Sequence, residues 1–226
     1  MRIALLSNSQ GTDAGVSAAE TYPELVRARL ASEHEVRVMA MSGWAIGDFN
    51  AHIDDVLADD PELVVLQVGI VECAQRILSE REKRILQRVP GSRRLTAFLH
   101  ARRTRVIRAR RALRIMTCLY TLERFRDEVD SFVAALGSRG VDVLLVRIPR
   151  FSDAYEAEFY PYINEDIELF NTALVERGAV PLVSEADTDV AIWQPGTVHL
   201  NAEGHRAAAD TLLAALRSVV SEPVGA

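Results

Sequence analysis

A serine, two glycine-bearing turns and a histidine stand where short apolar runs of this sequence come to an end. Ser9 follows Ile3-Ala4-Leu5-Leu6-Ser7, with Asn8 before it and Gln10-Gly11 after it. Ser42-Gly43-Trp44-Ala45-Ile46-Gly47-Asp48 follows a second run, and Gly69-Ile70-Val71-Glu72-Cys73 a third. His199 lies in Trp193-Gln194-Pro195-Gly196-Thr197-Val198-His199-Leu200-Asn201, just ahead of Gly204 and His205. A hydroxyl nucleophile, backbone N–H donors for an oxyanion and an imidazole base are what acyl transfer requires. Metal chemistry is not expected, because no clear third ligand accompanies His199 and His205. Cys73 and Cys118 are too few for a zinc site or a disulfide framework. No cofactor is called for.

These residues act together only if the chain gathers them on one rim. Apolar runs rich in Val, Ile and Leu predict strands over about 2–7, 35–41, 62–68, 141–148 and 179–183. Near-continuous apolar strands suit a sheet covered on both faces. Helical patterns intervene over about 17–31, 50–58, 121–138, 155–177 and 202–220, the last with Asn201 as N-cap and Glu203 in its first turn. The alternation predicts a three-layer, flavodoxin-like α/β domain over 1–226, with a doubly wound, parallel, five-stranded sheet. Such sheets bind ligands at the carboxyl ends of their strands, where Ser9, the glycine turns and His199 all fall. The third and fourth strands lie about 70 residues apart, more than one crossover helix needs. The excess, about 76–119, predicts an insertion of one or two amphipathic helices, broken at Pro90-Gly91.

Charge singles out the same segment. The 226 residues carry a net −6, yet Arg88 to Arg114 holds ten arginines and no acid, which leaves −16 for the rest. That arginine face is either solvated and paired with the acidic body, or an anion-recognising lid over the rim, with Arg102, Arg103 and Arg105 in it; its apolar side is also suited to a homodimer contact. Nucleic acid is not expected as a partner, since the acidic body would repel a polyanion. At 49% hydrophobic and 26% charged the composition is that of a soluble globular chain, with no run near the roughly 20 apolar residues of a membrane span. The apolar run at the N-terminus is too short for a signal peptide, so a cytoplasmic address and no membrane partner are expected.

In order and position these blocks resemble the SGNH, or GDSL-type, hydrolase family over nearly the whole chain. Leu5-Leu6-Ser7-Asn8-Ser9-Gln10 resembles its first block, followed by a Tyr22-Pro23-Glu24-Leu25 helix start; Ile46-Gly47-Asp48 resembles the second, Val64 to Glu72 the third, and Val198 to His205 the fifth. The resemblance implies Ser9 as nucleophile, His199 as base, and the backbone N–H groups of Ser9 and Gly47 as the oxyanion hole. Three positions depart from the family pattern. Asn8 stands where Asp is usual, and it still holds the turn by local hydrogen bonding. Val71 stands where an Asn usually completes the oxyanion hole, and loss of one such donor typically costs about 10²–10³ in rate. Gln10 or Gln67 could replace it, and Glu72 either points into the site as a replacement contact or caps the helix that follows. Gly196 stands three residues before His199, where Asp is usual, so a carbonyl of the Trp193–Gly196 loop or the carboxylate of Asp189 is the expected orienter of the imidazole. The implied activity is a serine-dependent esterase or deacylase, acting on a small-molecule or carrier-linked acyl ester, an anionic one if the arginines form a lid. The alternatives are an O-acyltransferase acting on a sugar or small metabolite, and a non-catalytic binding module on the same fold. Cys73 reads as a small buried apolar residue.

Overall fold

The computed structural model describes residues 1–89, 91–113, 115, 118–184 and 192–221. β1 (Arg2–Ser7), β2 (Glu35–Ala40), β3 (Leu63–Gln67) and β4 (Asp142–Val146) form a parallel sheet in the order β2-β1-β3-β4. β1 and β3 lie in the middle. All of β3, and β1 beyond Arg2, are buried, which is why these runs read as continuously apolar. A 3₁₀ turn (Ser9–Gly11), a second one (Ala18–Glu20) and α1 (Tyr22–Leu30) lead from β1 to β2. α2 (Ile46–Ala51) and α3 (Ile53–Leu57) lead on to β3. α4 (Ile70–Cys73), α5 (Glu80–Leu86), α6 (Ser92–His100), α7 (Arg103–Ala112) and α8 (Leu122–Gly137) precede β4, and α9 (Asp153–Phe159), α10 (Ile163–Val175) and α11 (Ala202–Ser221) follow it. α1 packs on α11, while α8 packs on α2 and α10. Among the described residues no helix is long and apolar enough to cross a membrane.

Several expectations about elements change. Among the described residues the sheet has four strands, not five. Of the run 179–183 only Val180 pairs with the sheet: its N–H donates to Leu145 O (2.9 Å) and its carbonyl accepts from Arg147 N–H (2.8 Å). The chain then bends, and Leu182 and Val183 are buried as packing rather than ladder residues. An apolar run satisfies either role.

β4 likewise stops at Val146 because the residues after it bond to side chains of α10. Asn171 Oδ1 accepts from Ile148 N–H and its Nδ2 donates to Ile148 O (both 2.9 Å); Asn164 treats Phe151 in the same way (2.9 and 2.8 Å). The helix expected over 155–177 is two, α9 and α10, split at Tyr160-Pro161-Tyr162. Tyr162 there takes a left-handed φ of +69° and Pro161 has no N–H to continue a helix. The segment expected as one or two helices holds α5, α6 and α7. Gly91, at φ +79°, turns the chain into α6; Pro90 lies outside the described residues. Asn201 caps α11 as expected, its Oδ1 accepting from Gly204 N–H (2.9 Å).

Candidate active site

Ser9 sits in the turn directly beyond β1, and its neighbours tie that turn to two other elements. Asn8 N–H donates to Gln67 O at the end of β3 (3.3 Å), while Asn8 Oδ1 accepts from Gln10 N–H (3.1 Å). This is the local role expected of Asn8. Thr12 closes the turn on Ser9 O through its N–H (3.4 Å) and hydroxyl (2.8 Å). The Gln10 carbonyl oxygen accepts from Gln67 Nε2 (2.8 Å), and Gln10 Nε2 donates to Val198 O (3.4 Å). Gln10 and Gln67 are thus engaged with each other and with the histidine loop, not free to replace a missing oxyanion donor. Gly11 has no room for a side chain, because a Cβ would run into Ser7.

His199 is delivered by a turn closed from Thr197 N–H to Gln194 O (3.2 Å), with Gly196 at φ +71°. Tyr155 clamps this turn: its hydroxyl lies 2.6 Å from the carbonyls of both Gln194 and Thr197 and accepts from Thr197 N–H (2.8 Å). Gln194 Nε2 donates to Leu200 O (2.9 Å) and to Ala14 O, which joins the turn to the segment after Ser9. Phe151 packs beneath on Trp193, with ring centroids 4.1 Å apart. His199 itself is half-buried, and burial pushes its pKa below 6.5. Among the described residues no group hydrogen-bonds to its ring, Ser9 Oγ included. Gly196, a candidate orienter of the imidazole, has its carbonyl accepting from the Tyr160 hydroxyl (3.4 Å). Asp189 lies outside the described residues. Nearby, buried His205 accepts from Tyr22 N–H at Nδ1 (3.1 Å), so its proton sits on Nε2. Burial, helped by His199, pushes its pKa down to about 4.

Ser9, Val71 and Val198 line a cavity of about 550 Å³ whose far wall comes from α5, α6 and α7. Gly43, at φ +78°, lines it too. Gly47, the glycine expected at the oxyanion, does not: it lies in the first turn of α2, where an added Cβ would strike the Tyr120 hydroxyl. Glu72 is also turned away. Fully buried, it accepts from Ile46 N–H (2.6 Å) and Gly69 N–H (2.9 Å), tying the start of α2 to the end of β3. Desolvation pushes its pKa up to about 7 despite these bonds. Burial raises both thiols, Cys73 well above its ordinary range and Cys118 to about 12, so neither serves as a thiolate.

The arginines divide by role. Arg110 forks onto Glu82 (2.8 and 2.9 Å), and Arg111 bonds to Asp166 (2.9 Å) and Glu165 (2.6 Å); these two hold α7 to α5 and α10. Arg102 lies over the Phe98 ring (3.8 Å) and Arg105 is exposed; neither lines the cavity with Ser9. Arg103 does line it, stacked 4.1 Å over the Tyr160 ring. Sequence reasoning named Gly43 and Gln194 only as parts of loops and assigned Tyr155 no role. A tyrosine inside a helical pattern and a glutamine in a loop carry no local sign that they bond to a turn 39 to 42 residues away or to Ala14.

The GDSL-like lipase/acylhydrolase family model matches residues 7–207. Similar solved structures include the psychrotrophic esterase EstA from Pseudoalteromonas sp., at 11% identity and TM-score 0.63 over 98% of this chain and 99% of that one. The lipase/acylhydrolase from Enterococcus faecalis is 16% identical, with TM-score 0.61 over the whole of both chains. The acetyl xylan esterase AlAXEase is 18% identical, with TM-score 0.61 over 96% of this chain and 100% of that one. At such identities the likeness shows a shared fold. No curated protein matches the chain.

Proposed function

The chain belongs to the GDSL-like lipase/acylhydrolase family, and from that premise we propose that it hydrolyses a carboxylic ester with Ser9 as nucleophile and His199 as general base. Ser9 Oγ attacks the ester carbonyl while His199 takes the hydroxyl proton, and the carbonyl oxygen gathers negative charge. The backbone N–H groups of Ser9 and Gly43 serve as its donors, Gly43 taking the part expected of Gly47 because it is Gly43 that shares the cavity with Ser9. Collapse of the intermediate expels the alcohol, protonated by His199, and leaves Ser9 acylated. Water, deprotonated by the same imidazole, then releases the acid and returns the proton to Ser9. Val71 contributes apolar surface where the family usually has an amide, so the oxyanion is held by backbone alone.

The observation that carries this reading is the joining of the two loops: Ser9 and Val198 line one cavity, and Gln10 bonds across to Val198 O. Their missing Ser9–His199 hydrogen bond does not oppose it, since such bonds are often long without substrate and tighten on binding. The test is labelling by a fluorophosphonate probe together with turnover of short acyl esters. Native protein should do both and Ser9→Ala neither. Full turnover in Ser9→Ala would overturn the mechanism, and well-folded native protein that neither labels nor turns over would favour a binding module.

A further inference from the structure

Among the described residues, the lining of the cavity beside Ser9 carries more base than acid. The described lining holds Arg76, Lys83 and Arg103, with His100, and no Asp or Glu, in a chain whose net charge is −6. Arg110 and Arg111, two turns beyond Arg103 along α7, are each met by carboxylates. Arg103 meets none among the described residues: it lies flat on Tyr160 with its Nε shut off from solvent and without a hydrogen-bond partner. A guanidinium held in this way retains its fork of donors and has lost part of its hydration, an arrangement that an oxyanion completes. The wall also carries apolar side chains, Ile70 and Val71 on the sheet side and Ile77 and Leu86 on the helical side, among the polar Gln75, Gln87, Ser92 and Thr96. We propose that Arg103 receives a carboxylate or phosphate carried by the substrate, so that the ester acted on at Ser9 is an anionic amphiphile whose apolar chain lies between the two residues.

The choice of an ester rests on the reading of Ser9 given above; the anion preference does not, and the experiment needs no turnover. Binding of octanoate, octyl phosphate and octanol to the native chain is measured by calorimetry, then repeated with Arg103→Gln. At least one anion should bind native protein about tenfold more tightly than octanol, and that ratio should fall towards one in Arg103→Gln. Tighter octanoate assigns a carboxylate to the site, and tighter octyl phosphate a phosphate. Arg103→Lys keeps the charge but loses the flat fork. If Arg103→Gln does not fold, a ratio in Arg103→Lys below the native one supports the proposal and an unchanged ratio overturns it. Equal binding of all three ligands by native protein also overturns it. Anion preference without ester turnover would instead sink the Ser9 mechanism and leave the Arg103 site standing.

Discussion

At the scale of single residues, the chemistry of this site depends on how two ordinary side chains are surrounded. Ser9 gains its position from Asn8 and Thr12, and in the proposed mechanism burial keeps the His199 imidazole unprotonated. A half-buried imidazole whose pKa lies below 6.5 is neutral near pH 7 and ready to accept a proton. Protonation as the pH falls removes the base, so kcat/KM for a short acyl ester should drop on the acid side with its inflection below 6.5. A profile measured from about pH 4.5 to 8 checks this, and an inflection above the ordinary histidine value would mean a carboxylate partner holds the ring. Glu72 illustrates the opposite use of burial. Its two accepted N–H bonds make it a brace, so Glu72→Ala should leave the Ile46 and Gly69 N–H groups unpaired and cost about 2–4 kcal/mol in urea unfolding. Position in the sequence left Glu72 either facing the substrate or capping the helix that follows, and it is the cap of α4. Which way a side chain turns at the start of a four-residue helix is settled by partners that the sequence does not display.

At the scale of elements, strands and caps were legible where local composition decides them. Ile3 to Leu6 of β1 and Leu63 to Leu66 of β3 are apolar because both faces are buried, and Asn201 caps α11 through a bond three residues long. The fifth strand failed because distant packing decides it, the bend burying Leu182 and Val183, whereas the single long helix over 155–177 passed over a local breaker, Pro161 next to the left-handed Tyr162. Tyr155 makes the functional case. It is a positioning residue, reaching the histidine only through the turn of Gln194 to Thr197. Tyr155→Phe keeps the ring and removes the hydroxyl, so kcat should fall about tenfold with little change in KM, at a stability cost of about 1–2 kcal/mol. Equal loss in both parameters would point to a direct contact with substrate instead. α5, α6 and α7 are held differently from the sheet, since Ile107 is the one fully buried side chain described within them. Their amides should therefore exchange with solvent well before those of β1 and β3, which hydrogen-exchange mass spectrometry reads directly. Exchange as slow as that of the strands would mean this cover does not open.

At the scale of the whole molecule, the contrast of a basic segment on an acidic body was plain in the sequence, but its meaning was not. Glu82, Glu165 and Asp166 lie 28 to 55 residues from the arginines they engage, so only the fold shows that Arg110 and Arg111 fasten a cover while Arg103 faces a cavity. Two buried groups set a second global property. His205, with a folded pKa of about 4 against an ordinary 6.5, binds a proton more readily when unfolded, so its contribution to stability is lost as pH falls from about 6.5 to 4. Glu72, with a folded pKa of about 7 against 4.5, binds a proton more readily when folded, so its contribution grows as pH falls from about 7 to 4.5. The windows overlap and the signs oppose, so the native chain should lose little stability between pH 7.5 and 5, with the smaller acid loss from His199 left over. Below that range Glu82 and Asp130, both held under their ordinary pKa values, release stability as they take up protons. Glu72→Gln removes one side of the balance. Its unfolding free energy should fall by about 2 kcal/mol more than that of the native chain between pH 7.5 and 5, as read from urea transitions at both values. Parallel falls in the two proteins would show that Glu72 is ionised in the folded state throughout, its two N–H partners outweighing its burial.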